Sequence, residues 1–496
     1  MQAPKAIIIG SGIAGMSTAI RLAVQGFEVS VFEANAYPGG KLSVFEKDGF
    51  RFDAGPSLFT QPQNIEELFA LAQEPIEEYF QYESVEVACR YFFENGKSVT
   101  AYTDIQKYAT ELQTQLNEKP ESLQRYLTAA ANLYQRIGII FLDFSLHKFG
   151  TWFHQRIFRA LGTVRFSYLF QSMNAHNRKQ FKSAEAVQIF NRYATYNGSN
   201  PYKAPGMLSV IPHLEQNQGT FYPTGGMISI TNALYQLALK KGVQFIFNTK
   251  VTSIQEKNGR MEGVMAQDQF YPAPIVVSNA DVYFTYQHLL NNASKAKQLL
   301  KLERSSSALI FYWGIRHTFQ QLGLHNILFG RQYEAEFKHL FETHTLIDDP
   351  TVYINITSKL EAAHAPDGHE NWFVMINAPA NKGQDWQGLR TAARKSIIEK
   401  INRMLGVDLE SMIVSESIMD PVMIEQQTGS FMGSLYGTSS NNVFAAFLRP
   451  ANFTSQIKGL YFCGGTVHPG GGIPLCMKSA AITAQLIQSD NIHLFK

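Results

Sequence analysis

Residues 5–41 read KAIIIGSGIAGMSTAIRLAVQGFEVSVFEANAYPGGK, and the first two thirds of that stretch decide the fold. Ala6–Ile9 is a short, wholly apolar strand. Gly10, Gly12 and Gly15 follow it at once in the spacing G-x-G-x-x-G. Ser17–Gln25 continues as a helix that stops at Gly26, and Val29–Phe32 is a second strand closed by Glu33. This is a βαβ unit carrying a dinucleotide-binding fingerprint in its required context. Gly10 permits the tight turn, Gly12 lets a diphosphate approach the backbone, and Gly15 lets helix and strand pack closely. The helix start, including Ile13 and Ala14, offers unpaired N–H groups and the positive end of its dipole. Glu33 is placed to accept from a ribose hydroxyl. An ordinary glycine-rich turn would not account for an acid closing the second strand.

A second glycine pair, Gly39-Gly40-Lys41, stands a few residues beyond Glu33, and a nicotinamide-binding unit does not need it. Here the chain resembles large flavoproteins of the glutathione-reductase-like class, which carry such a pair with a basic residue beside it. The resemblance continues through GFRFDAGPSLF at Gly49–Phe59. It implies FAD as cofactor, a basic side chain near the diphosphate at Lys41, and further cofactor contacts at Gly55, Pro56 and Val251.

The chain has 496 residues, more than one core requires, so two or three lobes are expected. Its net charge of +2 implies no polyelectrolyte partner, and no basic run or recognised module supports nucleic acid binding. Cys89, Cys463 and Cys476 are far apart, which excludes a disulfide framework or a zinc cluster; no metal site is expected. No signal peptide is read at the start, and no apolar run is long enough to span a bilayer.

Residues 1–75, 219–285 and 456–496 read as three segments of the FAD-binding domain. Residues 76–218 read as a helical, substrate- and membrane-associated region, and 286–455 as a substrate domain. The fold class is a Rossmann-like α/β FAD-binding domain with an α+β substrate domain. Residues 61–137 are expected to be mainly helical, with Asp104 capping a helix to about Leu116 and Pro120 opening the next. Asn258-Gly259 marks a hairpin between Val251–Gln255 and Met261–Ala266. Leu389, Ala393, Ile397, Ile401 and Leu405 define a helix stopped by Gly406.

Residues 144–184 contain no Asp or Glu, although the chain has 41 acids in all. The window holds Lys148, Arg156, Arg159, Arg165, Arg178, Lys179 and Lys182. Among them stand Phe149, Trp152, Phe153, Phe158, Phe166, Tyr168, Phe170 and Phe181. Cations and rings without acids suit a segment lying on an anionic lipid surface. A basic surface helix over a core is the competing reading.

The last segment returns to glycine. Gly459–Cys463 is a strand, Gly464-Gly465-Thr466-Val467-His468-Pro469-Gly470-Gly471-Gly472 is a loop, and a helix begins near Leu475 after Ile473 and Pro474. A second helix start can thus face the flavin ring, whose reduced form is negative. Within this loop His468 reads as a shaping residue rather than an acid or base. GGTVHPGGGIP at 464–474 resembles the closing signature of bacterial-type phytoene desaturases and related carotenoid desaturases. RYATYNGSNPYKAP at 192–205, FYPTGGM at 221–227 and SNADVYFTY at 278–286 resemble theirs too, so the likeness runs the length of the chain. GSLYGTSSNNVFAAFLRP at 433–450 most resembles the hydroxycarotenoid 3,4-desaturase branch. One departure is Gly465-Thr466, where many related flavoproteins have Gly-Asp.

The resemblance implies FAD-dependent dehydrogenation of a long polyene taken from the membrane, with cofactor contacts at Gly464, Gly465, Gly472, Ile473 and Pro474. It implies oxygen or a quinone as electron acceptor and a peripheral place on the cytoplasmic face of the cell membrane. The positive charge left by hydride loss would spread along the polyene, so the work is positioning and no catalytic base is identified. Ser440, Asn441 and Asn442 are available to a substrate hydroxyl, or form an exposed turn. A phytoene-type desaturase or carotenoid isomerase, a flavin amine oxidase and a prenyl-binding escort protein on the same fold remain as alternatives.

Overall fold

The computed structural model describes residues 3–138, 142–153, 167–442, 445 and 449–491. Lys5–Ile9 is the middle of a five-stranded parallel sheet. Glu28–Phe32 and then Gln244–Ile246 lie on one side, Ile275–Ser278 and then Leu460–Phe462 on the other. Three chain segments far apart in sequence therefore build one sheet, as their apolar strands require. Side chains alternate between its faces. Ala6 and Ile8 pack toward the helices Ile13–Val24, Ile228–Lys240 and Ile473–Asp490, whereas Ile7 and Ile9 face an antiparallel meander. That meander comprises Val251–Lys257, Arg260–Ala266 and Gln269–Pro272. Its first turn has positive φ at both Asn258 (51°) and Gly259 (70°), the geometry that an Asn-Gly hairpin supplies.

The second lobe is a seven-stranded sheet. In spatial order it runs Ile413–Met419, Ser307–Ile315, Glu370–Ala378, Val352–Asn355, His325–Leu328, Val87–Phe92 and Ser98–Tyr102. Helix Trp386–Leu405 covers one face with Ala393, Ile397 and Ile401, and Gly406 ends it in the left-handed region. Residues 61–137 are mainly helical, as expected, but they also carry strands that the sequence reading passed over. Val87–Phe92 pairs parallel with the His325 strand and carries the Ser98–Tyr102 hairpin with it. The signal is local: Cys89, Tyr91 and Val99 alternate with more polar positions around Asn95-Gly96. Helices Ile105–Leu116 and Pro120–Leu133 then follow as expected, the first capped by Asp104 on the N–H groups of Gln106 and Lys107.

A hairpin of Val44–Lys47 and Phe50–Asp53 ties the lobes together. Asn371 Nδ2 donates to Arg51 O (2.6 Å), and Tyr312 Oη donates to Ala54 O (3.0 Å). The stretch that follows Gly39-Gly40 is thereby clamped to the second sheet.

In the acid-free window, Arg156, Phe158, Arg159, Arg165 and Phe166 lie outside the described residues. Phe181 is buried, stacked on Phe190 at 4.3 Å, so that ring belongs to the core and not to a surface. Lys148 is paired with Asp490 at 2.9 Å. Phe170 is 78% exposed and Trp152 40%. Among the described residues no helix is long and apolar enough to cross a membrane.

Candidate active site

All five strands of the parallel sheet end along one edge, and the loops that leave them line a single cavity of about 870 Å³. Gly10, Gly12, Ile13 and Ala14 come to it from the first loop, and Gly39, Gly40 and Lys41 from the second. Gly55 and Pro56 follow the hairpin, Glu33 and Val251 stand at one end, and Gly464, Gly465, Gly472, Ile473 and Pro474 at the other. Gly15 does not reach the cavity. A Cβ there would stand 2.2 Å from Gly10 O, so this glycine acts through packing.

The first loop is prepared for an anion. Gly10 has φ 92° and donates to Phe32 O (2.8 Å). Helix Ile13–Val24 starts at Gly12 with no side-chain cap and no acid in its first turn, so its leading N–H groups lack intrahelical partners. Gly39 donates to Ser11 O (2.9 Å), and a Cβ on Gly40 would lie 3.4 Å from Gly12 Cα; the two glycine loops are stacked. Gly55 must be glycine because a Cβ would meet Lys41 O at 1.8 Å.

Glu33 is buried. One oxygen accepts from Ser11 N (2.8 Å) and Ser11 Oγ (2.7 Å), the other from Asn35 N (2.9 Å). The acid read as a ribose acceptor therefore also braces the first loop. Lys41 is placed otherwise than expected. Its ammonium donates to Leu435 O (2.9 Å) and Ser434 O (3.5 Å), fastening the second loop to the second lobe. Burial lowers its pKa, and Asp281 opposes that.

Asn279 is a site residue that the sequence reading passed over. Its Nδ2 donates to Cys463 O (3.2 Å), while a Cβ on Gly12 would stand 2.7 Å from its Oδ1. It thus sits between the opening and closing glycine loops. The available signal was its position, directly after the strand that neighbours Lys5–Ile9 at the switch point of the sheet. At the closing loop, Gly464 N donates to Ser479 Oγ (3.1 Å), and Thr466 Oγ1 accepts from Val282 N (3.1 Å). Helix Ile473–Asp490 again begins without a side-chain cap or an acid in its first turn. His468 is buried and lines the cavity, with Nε2 3.0 Å from Phe144 O.

Arg449 is the second residue missed. It is 2% exposed, lines the cavity and donates to Tyr436 O (2.7 Å) and Gly465 O (3.3 Å). Burial lowers its guanidinium to about 10, and lifts the nearby Cys476 thiol to about 11. Of the three candidates for a substrate hydroxyl, only Ser440 lines the cavity. Asn441 is occupied by Asn200 N (2.7 Å) and Glu303, and Asn442 is an exposed turn residue.

The rest of the cavity runs into the second lobe between Ile310, Phe373, Met375, Met419 and Leu435. Its far wall is polar and paired within itself except at His325 Nε2 and Asn197 Oδ1. Arg192 donates to Glu215 (2.9 Å) and to Tyr91 Oη (2.7 Å), and its guanidinium lies 4.4 Å from the Tyr193 ring. His325 Nδ1 is 2.7 Å from Tyr353 Oη, which bonds Ser57 Oγ at 2.8 Å. An uncapped helix start, a braced glycine cradle and a buried acid at the end of the second strand fit a dinucleotide, and the strand order gives it a direction. A dinucleotide laid along this order would put its adenosine end by Glu33 and Val251, its diphosphate over Gly10–Ala14 and its ring end by Gly464–Pro474.

Fold and site together define a dinucleotide-binding protein whose cavity extends into a second lobe. Residues 13–488 match the family model described as flavin containing amine oxidoreductase. The chain is 48% identical over 487 residues to a 1-hydroxycarotenoid 3,4-desaturase of a Flavobacterium species, covering 98% of this chain and 99% of that one. It is 32% identical to a 4,4'-diapolycopene oxygenase of a Methylomonas species, covering 98% of each. Among solved structures, an oxidoreductase from Methanosarcina mazei superposes with a TM-score of 0.63 at 15% identity, covering 98% of this chain and 100% of that one; this likeness concerns the fold. The chain belongs to the flavin containing amine oxidoreductase family, in its carotenoid desaturase branch, and its cofactor is FAD.

Proposed function

We propose that this protein is an FAD-dependent carotenoid desaturase that introduces the 3,4 double bond into an acyclic carotene already hydroxylated at C1. The observation that carries the reading is the end-to-end 48% identity to a relative of that activity. The cavity supports it: one space joins the dinucleotide loops to an apolar passage in the second lobe. FAD, when bound, supplies a two-electron acceptor. The reaction removes two hydrogens from a C–C single bond, one with its electron pair and one as a proton, and oxygen or a quinone is the final acceptor. The chain's own residues do the positioning. Ile310, Phe373, Met375 and Leu435 confine the polyene beside the ring end of the cofactor site and exclude water.

The lipid contact belongs to this proposal. A substrate of this class dissolves in membranes, and the acid-free window 144–184 combines cations with rings such as the exposed Phe170 and Trp152. Docking on the cytoplasmic face of the membrane would deliver the polyene to the cavity.

The test offers flavin-loaded protein to liposomes carrying 1-hydroxylated carotenes, lycopene or phytoene in separate samples, followed by chromatography of the extracted pigment. The hydroxylated substrate should gain one conjugated double bond and shift to the red, with the others reacting poorly, since a site built for a hydroxyl rejects analogues lacking it. Stepwise conversion of phytoene alone would move the protein to the phytoene-desaturase group. Oxygen insertion in place of dehydrogenation would align it with the Methylomonas relative.

A further inference from the structure

Two cations at the closing end of the cavity have no carboxylate within 4.0 Å among the described residues. Arg449 donates to Tyr436 O, Gly465 O and Ser440 Oγ, and Lys41 to Leu435 O and Ser434 O. Three successive carbonyls, 434–436, thus hold both head groups in place. Carbonyl dipoles fix a cation without neutralising it. Among the described residues neither cation has an Asp or Glu within 4.0 Å, and the residues outside that set carry no Asp or Glu side chain. Asp281, whose field acts on Lys41, is itself paired with Arg304 at 3.3 Å. Cys476, between the two, is held neutral by burial. A buried charge left without a counter-ion is costly, and such a charge lining a cavity invites an anionic ligand. The loop makes room for it: a side chain at Gly470 would meet Arg449 Nε at 3.0 Å.

The strand order says which part of the cofactor lies there. Glu33 stands on one side of Lys5–Ile9, while the closing strand is two places away on the other side, about 10 Å across the sheet. The cations therefore sit beyond the diphosphate loop, at the ring end, where the uncapped start of the 18-residue helix Ile473–Asp490 also points. We propose that Arg449, seconded by Lys41, is the electrostatic seat for the negative charge that reduction places on the flavin ring. The proposal rests on the FAD-dependent reading but not on which carotene is used.

The test needs no substrate. Flavin-loaded protein is titrated with sulfite, which adds to oxidised flavin and leaves the ring negative, and its reduction potential is measured against a reference dye. Wild type should bind sulfite and have a potential above that of free FAD. Arg449→Met should keep its flavin but bind sulfite ten- to a hundredfold more weakly, with a potential lower by about 30 mV for each tenfold change. Arg449→Lys should recover most of the difference, and Lys41→Met should shift both readings less, in the same direction. Unaltered sulfite affinity and potential in flavin-loaded Arg449→Met would overturn the proposal. If that variant fails to fold or to load FAD, a wild-type potential at or below that of free FAD, or a Lys41→Met variant indistinguishable from wild type, overturns it instead. Failure to convert any carotene while these results hold would remove the proposed substrate and leave the charge seat standing.

Discussion

Glu33 shows how one side chain serves both cofactor and fold. Its carboxylate accepts from Ser11 N, Ser11 Oγ and Asn35 N inside the cradle it was read to serve. Glu33→Ala should weaken FAD by about 1–3 kcal/mol and also lower the melting temperature of the apoprotein, because a buried N–H loses its acceptor. Titration with FAD and a melting curve of the flavin-free protein read the two effects separately. The glycines of the same loop divide differently. A Cβ at Gly15 meets a backbone carbonyl at 2.2 Å, whereas one at Gly12 meets only the end of the Asn279 side chain at 2.7 Å. Gly15→Ala should therefore destabilise the apoprotein by about 1–3 kcal/mol, through overpacking. Gly12→Val should act chiefly on FAD content, since the bulk enters the diphosphate path. Denaturant midpoints and bound flavin distinguish them. His325 supplies a pH dependence. Burial, with Arg192 adding to it, lowers its imidazole to about 3, while the unfolded chain titrates near 6.5. Between those values the unfolded chain holds a proton that the folded one does not, so stability falls as pH drops from about 6.5 toward 3. In His325→Gln the difference between urea midpoints at pH 7 and pH 5 should shrink; an unchanged difference would assign the acid sensitivity to other groups.

At the scale of elements, the hairpin at 87–102 joins the helical segments to the substrate sheet. Tyr91 on its first strand receives the Arg192 Nε bond, and Glu215 receives Nη2 along with hydroxyl bonds from Tyr193 and Tyr196. Strand, short helix and the helix Val210–Gln216 are thus joined through one buried ion pair, both partners nearly inaccessible. Glu215→Ala leaves the guanidinium buried and unpaired and should cost about 3–5 kcal/mol, read from chemical denaturation. Two good helices on its C-terminal side mask this hairpin in the sequence. Its Asn95-Gly96 turn was legible, but the parallel partner at 326–328 lies over two hundred residues away, and no local pattern announces it.

For the whole molecule, no described helix is long enough to span a bilayer, so the proposed lipid contact rests on the acid-free window 144–184. Neutralising Arg156, Arg159 and Arg165 together should release much of the protein from anionic liposomes in flotation, since each cation near such a surface contributes about 1 kcal/mol. High salt should release wild type in the same way. Unchanged flotation of the triple variant would place the docking surface elsewhere. Phe181 and Lys148 are not the residues to mutate, being engaged with the core and with Asp490.

The sequence by itself determined the parallel sheet, the glycine loops and the order of the three cofactor segments. Each of these rests on short-range chemistry: a strand of apolar residues, a turn that only glycine adopts, a helix start without an acid. It determined the Asn258-Gly259 hairpin and the end of the long helix at Gly406 for the same reason. What only the tertiary structure decided is everything that depends on which distant groups meet. The resemblance implied a basic side chain near the diphosphate at Lys41; that its ammonium is held by the carbonyls of residues 434 and 435 only the structure shows. Arg449 carried no motif of its own. Its meaning lies in what surrounds it, hydrogen-bond acceptors and, among the described residues, no carboxylate within 4.0 Å, and whether a cation is paired is a property of space rather than of sequence.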